Sequence, residues 1–199
     1  MIKEWFANYV LHNSDVTVDT RTGGQITIHN SNTEDWTVTL VDTGAETMTG
    51  WRIKRVASYI QWDVFMLTYG DGLSNINIQE LVDFHNNHGK LATLTAVQPE
   101  WRFWKLWIGE NENIYDFSEK KDNDDTWING GFMVLDKRVI EYICCDDMPF
   151  EKDPLENIAK DNWLVAYKHR GFWFAMDTLQ NKNTLESLWI KWDAPWKIW

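Results

Sequence analysis

The sequence is poor in several features by which protein classes are usually recognised. It has two cysteines and four prolines in 199 residues, and Cys144 and Cys145 are adjacent. Adjacent cysteines cannot build a disulfide framework and lack the C-x-x-C spacing typical of zinc sites, so we expect both to be reduced and structural. No apolar run is long enough to span a membrane. The first residues match neither a signal peptide nor a transit peptide, which favours a cytoplasmic protein.

Basic residues are scarce relative to acidic ones. Lys and Arg number 19 against 30 Asp and Glu, giving a formal net charge of −11. Such a chain has no basic stripe to release counterions from a polynucleotide or an anionic membrane, so we expect neither as a partner. If the substrates are small phosphates, local Arg and Lys side chains and a divalent cation must reverse the field at the site.

Hydrophobic residues make up 44% of the chain, enough for a single domain over 1–199. Periodicity predicts a helix over 2–11 and short strands within 15–41, with a turn at Gly23-Gly24. The later predicted elements are a strand over 63–69, a helix from Asn77 to Gly89, strands over 91–97, 114–117, 131–135 and 164–168, and helices over 137–143, 154–161 and 178–191. This order indicates an α/β fold with a mainly parallel sheet.

A Tyr69-Gly70-Asp71-Gly72 sequence ends the strand predicted over 63–69. The glycines would let a ligand approach the backbone while Asp71 coordinates Mg²⁺ at the carboxyl end of the strand. The alternative, of about equal weight for so short a motif, is a turn in which the Asp caps its own backbone.

A polar, glycine-punctuated loop runs from Asp42 to Arg52, and a helix carrying Ile53 and Val56 follows it. Such a loop can present N–H groups and a guanidinium to phosphates or to a base. Without further support, an ordinary surface connection is the more economical interpretation.

Two later segments also carry candidate ligand-binding groups. Asn129-Gly130-Gly131 could hold backbone N–H groups near a hydroxylated ligand, although Asn-Gly more often marks a hairpin turn. Residues 171–178 place aromatic side chains before Asp177 at a helix start, where Asp177 could also act as the N-cap. His85 and His88 lie three apart with no third ligand nearby, so we expect them to be unligated.

Five sequences, taken together and in this order, resemble the glucose-1-phosphate cytidylyltransferase family. They are Leu40-Val41-Asp42-Thr43-Gly44, Met48-Thr49-Gly50, Thr68-Tyr69-Gly70-Asp71-Gly72, Ile128-Asn129-Gly130-Gly131-Phe132 and Met176-Asp177-Thr178-Leu179. The likeness runs through the whole chain to Ala194-Pro195-Trp196-Lys197. Thymidylyl-, uridylyl- and guanylyltransferases share some of these motifs.

The resemblance implies a Rossmann-like, three-layer nucleotidyltransferase fold and a reaction between CTP and glucose 1-phosphate that gives CDP-glucose and pyrophosphate. It implies Mg²⁺ held by Asp71 and Asp177, with Arg52 as a further catalytic residue. The substrate-binding residues that it implies are Thr47 and Gly70 for the nucleotide and Glu119, Lys120, Asn129 and Gly130 for the sugar phosphate. Trp173 is predicted as a further substrate-binding residue, not assigned to either substrate. It further implies a homo-oligomer that serves polysaccharide biosynthesis.

The first departure from the family is the absence of the GGxGTRL loop that cradles the triphosphate. That sequence, and the strand before it, do not occur among the 199 residues. We therefore expect the 199 residues alone to be inactive. Two alternatives stay open: a catalytically dead sugar-nucleotide-binding subunit, and an enzyme that uses another nucleotide or sugar, such as UTP, dTTP or mannose 1-phosphate.

The second departure is the tryptophan content, which is 14 residues. Trp51, Trp101, Trp104 and Trp192 stand where the family has or tolerates glycine, and a bulky residue at a tight turn is sterically unfavourable. One hypothesis explains all four: UGA codons that some bacterial lineages read as glycine. Real drift towards tryptophan is the alternative, and the coding DNA distinguishes the two.

Overall fold

The computed structural model describes residues 1–98, 104–108, 114–119 and 127–198, with the backbone alone for 104–108 and 114–119. The chain divides into two compact units, Met1–Thr43 and Gly44–Trp199. The sequence-based assignment of one domain over 1–199 stays a prediction.

The first unit contains two short helices and a hairpin. In chain order its elements are α1 (Ile2–Ala7), α2 (Tyr9–His12), β1 (Ser14–Asp19) and β2 (Gln25–Ser31). The predicted helix over 2–11 is thus interrupted at Asn8, and no strand forms around Val38 and Leu40, where one was expected. The predicted turn is confirmed: Gly23 and Gly24 have φ of 78° and 90°, a backbone region that favours glycine.

The second unit holds the remaining helices and strands. They are α3 (Thr49–Val56), β3 (Val64–Leu67), β4 (Gly72–Ser74), α4 (Ile78–His88), β5 (Ala92–Val97), β6 (Trp104–Ile108), β7 (Ile114–Glu119), β8 (Ile128–Asp136), α5 (Asp153–Lys160), β9 (Leu164–His169), β10 (Trp173–Ala175) and α6 (Leu179–Ile190). The helix predicted over 137–143 is wrong in type, because Lys137–Tyr142 forms a 3₁₀ helix.

The main sheet has four strands in the order β3-β8-β5-β9. Strand β8 is antiparallel to both β3 and β5, whereas β5 and β9 are parallel. Three of the four strands therefore run in one direction, but two of the three strand pairs are antiparallel, so the sheet predicted to be mainly parallel is mixed. Strands β3 and β5 are parallel in direction, but β8 lies between them.

Helices cover both faces of this sheet. Met133 and Leu135 of β8 share one buried cluster with Ile53 of α3 and Ile158 of α5. Val134, which lies between them in the strand, packs with Leu81 of α4 and Ile76. Successive side chains of a strand point to opposite faces, so α3 and α5 lie on one face and α4 lies on the other. This arrangement is the expected three-layer fold.

Local capping explains where the helices begin and end. The Asn77 side chain accepts a hydrogen bond from the Glu80 N–H at 3.2 Å, and Gly89 ends α4 with a φ of 65°, both as predicted. The N-cap of α6 is Thr178, which forms a capping box with Asn181. The suggestion that Asp177 could cap this helix is therefore wrong.

Helix α3 begins earlier than predicted, so Trp51 and Arg52 are helical and do not lie in a loop. Trp51 is half-buried and packs against the core, and the Lys54 ammonium lies 5.2 Å from the centre of its ring. Trp104 begins strand β6, and Trp101 lies outside the described residues. At position 51, therefore, tryptophan is not at a tight turn as the glycine hypothesis supposed.

Trp192, in contrast, has the backbone conformation of a glycine. It follows the C-cap of α6 with a φ of 58°, and 88% of its surface is exposed. That position after a helix is where glycine is commonest, because other residues are strained there. The structure thus fits the glycine hypothesis at position 192 and not at position 51.

The two histidines of α4 are both hydrogen-bonded to the buried hydroxyl group of Thr93. His85, which is 4% exposed, lies 2.9 Å by Nδ1 from Thr93 Oγ1, and His88 lies 2.7 Å by Nε2 from the same oxygen. Burial lowers the pKa of both, and each histidine's pKa is lowered further by a neighbouring basic group, His88 for His85 and Lys90 for His88. Asp136 acts in the opposite direction on the pKa of His85.

None of the helices in the described part of the chain has the length and apolarity needed to cross a bilayer.

We predict that Trp192→Gly raises the free energy of unfolding by roughly 0.5–1 kcal/mol. The relief of left-handed strain, about 1–2 kcal/mol, exceeds the loss of an exposed cation–π contact with Lys197. Chemical denaturation measures the change. Trp196→Gly is the control, because Trp196 is 8% exposed and packs against Phe172, and it should lower stability. A loss of stability in Trp192→Gly would contradict the prediction.

We also predict that stability falls as the pH drops below about 6.5, the pKa of an unfolded histidine. Because His85 and His88 have lowered pKa values in the folded state, the unfolded chain binds more protons there. Each such proton costs up to roughly 1.4 kcal/mol per pH unit. Urea denaturation between pH 5 and 8 tests this. His88→Gln should flatten the dependence, and a slope equal to that of the parent protein would refute the assignment.

Candidate active site

Two of the predicted aspartates flank the paired strands β4 and β10. These strands are antiparallel, with Gly72 opposite Ala175, and the N–H of Met176 donates to the carbonyl of Asp71 at 2.8 Å. Asp177, the next residue, therefore lies close to Asp71 although 106 positions separate them in the sequence. Both carboxylates are exposed. The sequence placed Asp71 and Asp177 in one site, and the ladder brings their backbones together.

The Asn129-Gly130-Gly131 sequence lies inside β8, so the hairpin-turn interpretation is wrong. The N–H of Gly131 donates to Asn129 Oδ1 at 2.8 Å, and Asn129 Nδ2 donates to the hydroxyl of Tyr69 at 3.1 Å. Gly131 has a φ of 79°, and a methyl group on it would lie 2.6 Å from the Tyr69 ring. Glycine is required here both by the backbone conformation and by the tyrosine packed on it.

Gly130 joins the same site through Trp173. Its carbonyl accepts the indole N–H of Trp173 at 2.8 Å, and it is buried so closely that an added methyl would lie 2.8 Å from Val97 Cγ1. Trp173 is on β10, three residues before Met176, whose N–H donates to the carbonyl of Asp71. The predicted residues Gly130 and Trp173 therefore lie beside Gly72, and Asn129 is hydrogen-bonded to Tyr69, so all three are close to the Gly70-Asp71 sequence.

Tyr69 connects this site to a residue that sequence analysis missed. Its hydroxyl donates to Glu151 Oε1 at 2.6 Å while accepting the hydrogen bond from Asn129. Burial raises the pKa of Tyr69 well above its ordinary value, and the bond to Glu151 raises it further. Tyr69 therefore stays protonated at physiological pH and acts as a fixed donor.

Glu151 also holds the start of α3. Its Oε2 accepts the hydroxyl of Thr49 at 2.7 Å, and the same hydroxyl accepts the N–H of Phe150 at 2.8 Å. One carboxylate thus bridges the first residue of α3 and Tyr69. No motif surrounds Glu151, so no local pattern could have identified it.

The loop before α3 carries the predicted residue Thr47, and the predicted residue Arg52 lies on α3 itself. Thr47 is 7% exposed. A methyl group on Gly44, whose φ is 87°, would lie 2.7 Å from both Thr47 Oγ1 and Arg55 Nη1. Arg52, on the helix, donates back to the carbonyl of Ala45 at 3.0 Å. The loop is therefore a compact turn in which Thr47 is mostly enclosed.

Basic side chains lie beside the Asn129 end of β8. The Lys168 ammonium and the Arg170 guanidinium lie 5.2 and 5.0 Å from the centre of the Trp127 ring, and Trp127 comes two residues before Asn129. Strand β9, which carries Lys168, ends at His169 opposite the end of β5. Sequence analysis did not select these cations, because nothing in the sequence links 168–170 to 127.

Two predicted residues are only partly accounted for. Glu119 is the last residue of β7, where its backbone pairs with Trp104, and Lys120 lies outside the described residues.

The donor set at Asp71 and Asp177 fits a magnesium ion. Mg²⁺ is usually bound by one or two carboxylates, with substrate phosphates and water completing an octahedron. Among the described residues, no group of three or more His, Cys, Asp or Glu side chains is placed to hold a metal ion. Two carboxylates near glycines at a strand end are the donors that such a shared site needs.

Comparison with known proteins identifies the family. The chain is 48% identical over 200 residues to the glucose-1-phosphate cytidylyltransferase of Salmonella typhimurium, a match that covers 100% of this chain and 77% of that protein. A Bacillus subtilis protein assigned the same name is 39% identical over 199 residues, with the same coverage. The chain belongs to the glucose-1-phosphate cytidylyltransferase family. No protein-family model matches it.

Solved structures agree on the fold of this cytidylyltransferase family member. The structure of a provisionally assigned glucose-1-phosphate thymidylyltransferase from Bacillus anthracis, in complex with sucrose, matches with a TM-score of 0.55. The match has 15% sequence identity and covers 73% of this chain and 62% of the other. At that identity the likeness concerns the fold alone.

We predict that Gly131→Ala lowers the free energy of unfolding by roughly 2–4 kcal/mol, through left-handed strain and the clash with the Tyr69 ring. Gly70→Ala is the matched control, since a methyl group there would meet nothing within 4 Å and its φ is not in the left-handed region. Thermal or urea denaturation compares the two. Equal effects would mean that Tyr69 does not pack on Gly131 as described.

Proposed function

We propose that this protein transfers a cytidylyl group from CTP to α-D-glucose 1-phosphate, giving CDP-glucose and pyrophosphate. The observation that carries the proposal is the ladder between β4 and β10, which brings Asp71 and Asp177 together at the end of the sheet. The 48% identity to the Salmonella typhimurium enzyme supports the choice of nucleotide and sugar.

The proposed reaction is a single in-line displacement at the α-phosphorus of CTP. A phosphate oxygen of glucose 1-phosphate forms the new P–O bond, and the bond to the β-phosphate oxygen breaks, so that pyrophosphate leaves with its electron pair. No protein nucleophile is needed, because this chemistry depends on positioning and on neutralising charge. The residues of the site therefore have to align two anions that repel each other.

Asp71 and Asp177 are the proposed metal ligands. When bound, Mg²⁺ would neutralise charge on the α-phosphate and orient it. The two aspartates lie at the ends of paired strands, so their positions are set by backbone hydrogen bonds and not by a flexible loop alone. Such rigidity is what a ligand pair needs.

The nucleotide is proposed to lie against the loop before α3 and against Gly70. Thr47 and the Arg52 guanidinium would contact it, and Gly70 has open space around its Cα, which allows close approach to the backbone. The Arg52 guanidinium donates to the carbonyl of Ala45 at 3.0 Å, which holds it beside the loop proposed for the nucleotide.

The sugar phosphate is proposed to lie beside Asn129, Gly130 and Trp173, with Glu119 and Lys120. The indole N–H of Trp173 donates to Gly130, so Trp173 would offer a ring face to the sugar. Lys168 and Arg170, next to Trp127, supply positive charge on this side for the phosphate. This is the local field reversal that a chain of net charge −11 requires.

The remaining parts of the proposal concern setting. We place the enzyme in the cytoplasm, as a homo-oligomer that supplies CDP-glucose for polysaccharide biosynthesis. Size-exclusion chromatography with light scattering tests the assembly.

The test is turnover, measured as CDP-glucose and pyrophosphate formed from CTP, Mg²⁺ and glucose 1-phosphate. The 199-residue chain is expected to be inactive alone and active when fused behind the family's GGxGTRL segment. Activity of the 199 residues alone would contradict the role given to that segment. Equal activity with UTP, dTTP or mannose 1-phosphate would contradict the specificity, and binding of CDP-glucose without turnover in both forms would support a dead subunit.

In the active form, we predict that Asp71→Asn and Asp177→Asn each lower turnover by at least 100-fold, because each removes a charged metal ligand from a strand end and not a core group. Melting temperature should stay within a few degrees of the parent. Exposed Asp193→Asn is the control and should keep full activity. Turnover at the parent rate in either variant would remove that aspartate from the site.

A further inference from the structure

The adjacent cysteines lie in a segment that supports α3, and the site residues do not include them. Cys144 is exposed and Cys145 is half-buried, and their sulfur atoms lie 2.9 Å apart. We define the 143–151 segment as the residues from Ile143 to Glu151. Its two buried residues, Ile143 and Phe150, are both 0% exposed, and they anchor it on either side of the thiols.

The 143–151 segment accepts the backbone N–H groups at the start of α3. The N–H of Met48 donates to the carbonyl of Asp146 at 2.9 Å, and the N–H of Gly50 donates to the carbonyl of Met148 at 3.1 Å. The Asp146 carboxylate also pairs with Arg55 at 3.0 Å. The first turn of a helix leaves its N–H groups without partners inside the helix. For α3 these partners are the carbonyls of Asp146 and Met148, two and four residues after Cys144.

The contact between the two thiols determines which cysteine reacts first with an oxidant. The hydrogen bond to Cys144, followed by one to Asp147, raises the pKa of Cys145 to about 12. Cys145 therefore keeps its proton, and the exposed Cys144 sulfur is the one that meets a reagent from solution.

A bond between adjacent cysteines is strained. The Cα atoms of consecutive residues are about 3.8 Å apart across a trans peptide, below the roughly 4.4–6.8 Å usual for disulfides. Closing it must distort the peptide between Cys144 and Cys145. Strained, exposed disulfides are the readily reduced ones, in contrast to structural disulfides.

We propose that Cys144 and Cys145 are a reversible oxidation site for low-molecular-weight disulfides, and that the vicinal disulfide weakens the hold of the 143–151 segment on the start of α3. The Cys144 thiolate attacks one sulfur of the reagent, forming a mixed disulfide and releasing one thiolate. Cys145 passes its proton to solvent and attacks Cys144 Sγ, releasing the second. Two protein thiols are oxidised, and one reagent disulfide is reduced to two thiols.

The first test uses oxidised glutathione and the whole 199-residue chain, and it does not depend on catalytic activity. Wild-type protein should lose two thiols and two hydrogens of mass, retain no glutathione, and regain both thiols with dithiothreitol. Cys145→Ser should stop with one glutathione bound, and Cys144→Ser should react more slowly. Two unreacted thiols, a lasting glutathione adduct in the wild type, or a disulfide-linked dimer would overturn the proposal.

The second test is amide hydrogen exchange before and after oxidation. The N–H groups of Met48 and Gly50 should exchange at least several-fold faster in the oxidised protein. The N–H of Ala92, which donates to Trp163 at 3.0 Å in another part of the same unit, should be unchanged. The Cys144→Ser/Cys145→Ser double variant, treated in the same way, is the control. Unchanged exchange at Met48 and Gly50 in the oxidised protein would overturn the proposed coupling to α3.

Discussion

The arrangement of the site depends on one carboxylate. Glu151 accepts one hydrogen bond on each oxygen, from Thr49 at the start of α3 and from Tyr69, two residues after β3. An ionised carboxylate only accepts, so it can join two hydroxyl donors that would not bind each other as strongly. The Tyr69 hydroxyl in turn accepts a hydrogen bond from Asn129, and the Tyr69 ring packs on Gly131. Hydrogen bonds through Glu151 and Tyr69 thus connect the start of α3, beside the loop proposed for the nucleotide, to Asn129, which is proposed for the sugar phosphate.

The electrostatics of the site follow from its composition. Asp71 and Asp177 place two negative charges where two anionic substrates are proposed to meet, on a chain whose net charge is already −11. Without a cation, this arrangement would repel its substrates. A divalent ion changes the sign locally, and Lys168 and Arg170 add positive charge beside Trp127. The exposure of both aspartates matters, because buried carboxylates would tend to bind protons and would be unable to share a metal with a phosphate from solution.

Sequence alone predicted what local physics determines. Asn77 and Gly89 mark the ends of α4 because capping needs only neighbouring atoms, and the apolar run of β3 marks a strand by its own pattern. The sequence could not predict where α3 begins, because the N–H groups there donate to carbonyls about a hundred residues further along the chain. Glu151 was missed for the same reason. Both partners of its carboxylate are brought to it by the fold.

The direction of β8 explains why residues so far apart in sequence share one edge. An antiparallel strand begins where its neighbours end, so the first residues of β8 lie at the carboxyl ends of β3 and β5. Asn129, Gly130 and Gly131 therefore lie beside Tyr69. A parallel strand in the same place would put these three residues at the opposite edge of the sheet. The pairing of β4 with β10 then adds Asp177 to the same region through Trp173 and Gly130. Asn-Gly, which in most chains closes a hairpin, here opens a central strand because its glycines must fit against Tyr69 and Val97.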